Sequence, residues 1–353
     1  MTNEYLTAAD QHFFCAVCRC EPADFKVICP ATLGRQTRFD LVECADCLTR
    51  QLFPLPTNAE LENFYNTGYY GGDWYKQRGW GKTFAQWHLP QKENAKYLEV
   101  GCGLGYFLDG IRAASRWQVC GIEFGKESVE HARQKLNLDV RQGELSEVNF
   151  AAREFDFIRI CNVLEHVKDP LLMLEECRRI IKPDGYLHLS IPNGLTDSQS
   201  LVNFYESEKT PPLSKDGHLF FFPKETLLRM LEKTDFEVAG SGTISIRRGL
   251  RTLGKYPQKS NWKNPFYAAN KDGEPPGEIR LSREKKRPAI YYHFRRLAMT
   301  ARMFSGLRDY GLEFKLMLKP LKNKFEAGDN LTNSVAPELS ETDEKTAQNN
   351  IGE

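Results

Sequence analysis

Residues 97–105 read Tyr-Leu-Glu-Val-Gly-Cys-Gly-Leu-Gly. Tyr97 to Val100 have the apolar run of a buried strand end, and Gly101, Gly103 and Gly105 follow at alternate positions. Residues 106–114 then read as a helix. Strand, glycine turn and helix is the arrangement by which an α/β domain brings its backbone against a nucleotide. Glycine is needed there because a Cβ would block both the tight turn and the close approach. The dinucleotide pattern G-x-G-x-x-G fails, since position 106 is Tyr. Instead an acid, Glu99, stands inside the strand end.

The order downstream extends this unit. Residues 117–123 (WQVCGIE) read as a second strand ending in Glu123, 18 residues beyond Gly105, where a carboxylate can accept both ribose hydroxyls. Residues 126–136 are helical in pattern, and 138–142 form a short third strand before Gly143, Glu144 and Leu145. Residues 155–161 (FDFIRIC) are the fourth strand, with a charge, Arg159, where burial is expected. Asn162-Val-Leu-Glu165-His166 follows, and Asp169-Pro170 reads as the cap and first residue of a helix reaching to about 181. Residues 185–191 are a fifth strand and 236–246 a sixth. With Glu99 ahead of the alternating glycines, this succession over roughly residues 60–246 resembles the class I S-adenosylmethionine (SAM) methyltransferases whose fourth strand ends in Glu-His. The resemblance implies an α/β, Rossmann-like sheet of seven strands with the last antiparallel. It implies SAM as cofactor, held by Glu99, Gly101, Gly103, Gly105, Glu123, Glu144, Leu145 and Asn162. Residues 311–319 (GLEFKLMLK) would be the seventh strand, beside the sixth.

Cys15-Ala-Val-Cys18 and Cys44-Ala-Asp-Cys47 are two C-x-x-C pairs. Such paired knuckles resemble a zinc ribbon, in which two turns each offer two thiolates to a tetrahedral Zn²⁺. Cys20 and Cys29 could substitute, and a set of unrelated buried thiols is the bland alternative. Four sulfurs leave no open position, so the zinc is expected to be structural. A segment of about 50 residues has too little core of its own to dispense with it. A zinc segment followed by the aromatic stretch Tyr65, Tyr69, Tyr70, Trp74 and Trp80 resembles bacterial sugar C-methyltransferases and their relatives. Those aromatics would form a lid over the cofactor, or pack the zinc module on the core.

For chemistry, His166 after the fourth strand stands at the carboxyl edge where open sheets place ligands, and His is suited to remove a proton near neutral pH. Glu165 could orient that ring or pair with a metal, and His218 could reach the same mouth. His166 could equally be a hydrogen-bonding structural residue, and for His218 the structural reading is the leading one. His12, His88, His131 and His293 have no partner pattern and are expected at the surface.

The 353 residues carry a net charge of +1 and 41% hydrophobic residues, enough for a proper core, and no apolar run of about 20 residues. The N-terminus lacks a signal-peptide pattern, so a cytoplasmic protein with reduced cysteines is expected. Charge is uneven: 20 Lys/Arg stand against 6 Asp/Glu over residues 247–324, and the last 29 residues read as an acidic, disordered tail. The expected organisation is a zinc ribbon (1–58), an aromatic connector (59–94), a SAM-binding core (95–246), a basic insertion with an amphipathic helix at 289–307 (247–310), a final core strand (311–324) and the tail (325–353). The leading expectation is a methyltransferase acting on a small molecule or a sugar such as a nucleotide-sugar. An RNA methyltransferase gripping phosphates with the ribbon and basic insertion is the rival, and a non-catalytic SAM-fold scaffold is a third reading. The basic helix could also touch an anionic membrane surface, or simply cap the core. Oligomeric state cannot be read from these residues.

Overall fold

The computed structural model describes residues 14–20, 24–33, 37–66, 75–90, 92–214, 217–255 and 310–321. The amphipathic helix expected at 289–307, the tail, His12, His293, Tyr69, Tyr70 and Trp74 lie outside the described residues.

Parallel strands buried on both faces need near-continuous apolar runs, and KYLEV, QVCGIE and FDFIRIC supply them. They are β4 (Lys96–Val100), β5 (Gln118–Glu123) and β7 (Phe155–Cys161), joined through α3 (Tyr106–Ala114), α4 (Lys126–Leu136) and the short β6 (Val140–Gln142). After β7 come α5 (Pro170–Ile180) and β8 (Ile181–Pro192). Asp169 caps α5 by accepting the Leu172 N–H at 3.0 Å, with Pro170 in the first turn. Between Phe155↔Ile181 and Phe157↔Tyr186 the register of β7 and β8 shifts, so Pro183-Asp184-Gly185 sits within β8 as an irregularity in the ladder.

Numbered in chain order, α7 (Lys224–Lys233) leads into β11 (Phe236–Ile244), and β12 (Glu313–Pro320) runs antiparallel between β8 and β11. The seven-stranded sheet therefore has the order β11-β12-β8-β7-β4-β5-β6. The chain steps one way from β4 to β6 and then returns to lay down β7 on the other side of β4. That reversal creates a switch point between the carboxyl ends of β4 and β7, where open α/β sheets bind ligands. A short helix, α8 (Ile246–Thr252), follows β11 where the sequence shows little periodicity.

The N-terminal segment forms β1 (Phe25–Leu33), β2 (Thr37–Cys44) and β3 (Arg50–Phe53), an antiparallel sheet with Cys15 and Cys18 in the turn ahead of β1 and Cys44 and Cys47 at the connection from β2 to β3. Two strands from the other end of the core complete it: β9 (Leu213–Ser214) pairs with β1 and β10 (Phe220–Phe221) with β3. The order is β10-β3-β2-β1-β9. Helix α1 (Asn58–Asn66) and helix α2 (Lys76–His88) connect it to β4, and α6 (Gly194–Glu208) follows β8.

Alternation along the strands divides the core. Leu98 and Ile158 face one way and share a buried cluster with Leu41, Leu52 and Phe220, so the N-terminal sheet packs into the same core as the large sheet. Tyr97 and Phe157 face the other way, with their rings stacked at 5.6 Å, among side chains of α2, α3 and α4. Among the described residues no helix is long and apolar enough to cross a membrane.

Candidate functional site

The turn after β4 depends on its glycines. Gly101, Gly103 and Gly105 have φ of 70°, 55° and 82°. A Cβ at Gly101 would stand 2.3 Å from Cγ2 of Val163 and one at Gly105 2.8 Å from Cδ1 of Leu138. The loop after β7 therefore lies directly on the glycine turn. Glu123, at the end of β5, is buried and accepts the Gly103 N–H at 2.8 Å through Oε2 and the Gly125 N–H at 2.9 Å through Oε1. A carboxylate offers about four lone-pair sites, so two N–H bonds leave capacity for ribose hydroxyls. The geometry fits an adenosyl cofactor on the backbone side of the turn: three residues with positive φ, a helix N-terminus at Tyr106 and an acid on the next strand.

Glu99 lies deeper. Its Oε1 accepts from the Arg159 guanidinium, its partner across the β4–β7 register, and Arg159 also lies 3.7 Å from the Phe107 ring centroid. The charge inside the fourth strand is thus matched by the acid in the first. Burial pushes the Glu99 carboxyl up to about 7 against the opposing pull of Arg159. Oε2 of Glu99 has no hydrogen-bond partner among the described residues.

Glu144 opens a single 3-10 turn at Leu145–Glu147 in a reciprocal capping box with Glu147, and Leu145 is buried. Asn162 is exposed, in the left-handed region (φ 53°), and its N–H bonds the Ser190 carbonyl at 2.8 Å.

Beyond Asn162 the chain turns inward, and Glu165, His166 and His218 come together, all buried. His166 Nδ1 lies 3.1 Å from the Gly217 carbonyl and 3.1 Å from the Tyr65 hydroxyl. A carbonyl only accepts, so the bond to Gly217 assigns the proton to Nδ1 and leaves the Nε2 lone pair facing Glu165 Oε1 at 3.8 Å. His218 Nδ1 donates to Asp197 Oδ2 at 2.7 Å, and its Nε2 lies 3.9 Å from the same Glu165 oxygen. Burial, together with His218, holds His166 well below the ordinary histidine range, and burial pushes Glu165 up to about 8. Tyr65 also stands edge-on to Phe124, the residue after Glu123, at 6.0 Å, so α1 links the ends of β5 and β7. Trp80 is 61% exposed on α2. Asp197 carries no sequence signal, because only the folding of α6 across the sheet edge brings it to His218. One expectation needs correcting: His131 is half-buried and its Nε2 lies 3.2 Å from the Tyr106 hydroxyl, because α3 and α4 pack side by side.

At the other end, the Sγ atoms of Cys15, Cys18, Cys44 and Cys47 all lie within 4.8 Å of one another. Cys15 to Cys47 is 3.7 Å and Cys18 to Cys44 is 3.8 Å. Bonds of about 2.3 Å around a tetrahedral zinc put sulfurs about 3.8 Å apart, so the set fits this metal. Cys20 lies 3.2 Å from Cys18 and 3.8 Å from Cys44, beside the four, whereas Cys29 is buried in β1. Arg19 pairs with Asp169 at 2.7 Å and Thr226 Oγ1 donates to the Cys47 carbonyl at 2.5 Å, tying the cysteine turns to α5 and α7.

Residues 75–240 match the methyltransferase-domain family. The chain is 34% identical over 157 residues to a probable S-adenosylmethionine-dependent methyltransferase of Mycolicibacterium smegmatis, covering 44% of this chain and 57% of that protein. It is 31% identical over 164 residues to the ubiquinone biosynthesis O-methyltransferase of Actinobacillus pleuropneumoniae, covering 42% of this chain and 70% of that protein. A SAM-dependent methyltransferase structure from Archaeoglobus fulgidus superimposes with a TM-score of 0.41 at 17% identity, over 69% of this chain and 94% of that one. Sequence likeness and the order of the seven strands agree: the chain belongs to the SAM-dependent methyltransferases, with the class I fold.

Proposed function

We propose that the protein transfers the methyl group of SAM to a hydroxyl of a small-molecule acceptor. The observation that carries this is the juxtaposition, across the switch point, of the glycine turn and Glu123 with the buried Glu165–His166–His218 cluster. In this reading the Gly101–Gly105 backbone supports the cofactor, Glu123 takes the ribose hydroxyls, and Glu144 with the Leu145 N–H meets the adenine. Glu99, held by Arg159, and Asn162 complete the surroundings. The sulfonium is already a good leaving group, so the chain's work is alignment, exclusion of water and removal of the acceptor's proton. That last task falls to the cluster after β7. Sugar and nucleotide-sugar hydroxyls head the acceptor screen, followed by other small-molecule hydroxyls, since one relative is a ubiquinone biosynthesis O-methyltransferase. Zinc at Cys15, Cys18, Cys44 and Cys47 would hold the N-terminal sheet together and take no part in the chemistry.

Calorimetry tests the cofactor half. The wild type should bind S-adenosylhomocysteine, and Glu123→Ala should weaken binding by about 10-fold or more, because a buried charged acceptor is lost and two loop N–H groups lose their partner. Unchanged affinity, or a preference for NAD, would sink the assignment. For the acceptor half, His166→Ala should lower turnover by about 100-fold while leaving cofactor affinity nearly unchanged. Turnover equal to wild type on an acceptor found by the screen would remove His166 from the reaction.

A further inference from the structure

We propose that Cys18 and Cys20 are a peroxide-reactive thiol pair, the modification site at which oxidation to a disulfide dismantles the zinc site. Five thiols gather at the N-terminal turns, where four would fill a tetrahedral zinc. The fifth, Cys20, lies 3.2 Å from Cys18 and 3.8 Å from Cys44. Sulfurs that share one zinc stand about 3.8 Å apart, so the shorter Cys18–Cys20 contact is not an edge of the same tetrahedron. Cys20 is therefore a neighbour of the set rather than a member. Exposure separates the five in a related way: Cys15, Cys44 and Cys47 are buried, whereas Cys18 and Cys20 are half-buried. The two sulfurs in tightest contact are thus the two that a small solute reaches. The backbone holds them side by side. Arg19, between them, has φ of 64°, and its N–H bonds the Cys15 carbonyl at 2.8 Å. The Cys15 N–H bonds the Cys20 carbonyl at 3.2 Å, and the Arg19 guanidinium makes two bonds to Asp169, at 2.8 and 2.7 Å.

The inference rests on the zinc reading given above, in which Cys18 is a thiolate because it is a ligand. Its Sγ attacks hydrogen peroxide: an S–O bond forms, the O–O bond breaks and hydroxide leaves, giving a sulfenic acid. The Cys20 thiol then condenses with that sulfur. The S–S bond forms, the S–O bond breaks, and the Cys20 proton leaves with the hydroxyl as water. The two sulfurs together give up two electrons, and one peroxide takes them. Cys15, Cys44 and Cys47 remain, one ligand short of a closed site. Two cysteines separated by a single residue close a small ring, and strain in such a bond makes it easier to reduce. The disulfide is therefore expected to be reversible rather than structural.

The test treats zinc-loaded protein with hydrogen peroxide, reads freed zinc with a chromogenic chelator, and blocks the remaining thiols before tryptic digestion. Trypsin cuts after Arg19, so Cys18 and Cys20 fall in different peptides and their disulfide joins residues 1–19 to residues 20–26. Fragmentation of the joined pair distinguishes Cys18 from Cys15, which lies in the same peptide. Zinc should be released in step with the Cys18–Cys20 disulfide, and dithiothreitol should restore zinc binding. Cys20→Ser should hold its zinc before treatment and lose it at least about 10-fold more slowly than the wild type. Should that variant not fold, the wild-type peptide map decides the matter. A first disulfide at Cys15–Cys47 or Cys18–Cys44, zinc release without any disulfide, or equal release rates in folded Cys20→Ser overturns the inference. Metal analysis before oxidation keeps the two readings apart. Protein that holds zinc and forms no Cys18–Cys20 disulfide sinks this inference alone, and protein that binds no zinc sinks both.

Discussion

Cys44→Ser is expected to abolish the binding of one zinc per chain and to lower the melting temperature by about 10 °C or more. Cys44 is the residue to change because it belongs both to the four-sulfur set and to the neighbouring set of Cys20, Cys44 and Asp46. Cys18, by contrast, has Cys20 at 3.2 Å as a ready replacement, so Cys18→Ser should keep much of its metal. The effect is large because apparent binding energies of structural zinc reach about 10 kcal/mol and appear as folding energy. It spreads because the N-terminal sheet is not a detached module. It borrows β9 and β10, and Leu41 and Leu52 share a buried cluster with Leu98 and Ile158. Elemental analysis and thermal unfolding together check this. A wild type that folds with equal stability after purification without metal would refute it.

The second large effect concerns the ion pair beneath the glycine turn. Arg159→Met leaves the Glu99 carboxylate buried without its counter-charge, and removing one partner of such a pair costs about 3–5 kcal/mol. The stacking of the guanidinium on Phe107 is lost as well. Urea denaturation should show the loss as a lower midpoint at an unchanged slope. Glu99→Gln added to Arg159→Met should recover most of the stability, since no charge is then stranded. A single variant within about 1 kcal/mol of wild type would mean that Glu99 takes up a proton once Arg159 is gone, or that water reaches the pair and screens it. The double variant also separates two roles of Glu99: recovered stability with weakened cofactor binding would assign the carboxylate to the ligand as well as to the core.

Much of the architecture was legible because it is written in local pattern. The apolar runs of β4, β5 and β7, the Asp169-Pro170 helix start and the amphipathic run of α4 follow from burial and capping along a single stretch of chain. The alternating glycines and the two C-x-x-C turns are legible for the same reason, since the chemistry lies within a few consecutive residues. The sequence by itself thus determined the seven-stranded α/β core, the SAM family and the four clustered cysteines.

Tertiary structure decided what depends on residues far apart. Arg159 reads as an anomaly until the β4–β7 register sets it opposite Glu99. His218 gains Asp197, and His166 gains Tyr65 across 101 residues, only when α1 and α6 fold over the sheet edge. The N-terminal sheet takes strands from residues 213–221, which no local pattern foretells, because strands of two residues have no periodicity to read. The proton positions on His166 and His218 are decided the same way: a ring nitrogen's role is set by the partner it meets, and those partners come from other parts of the chain.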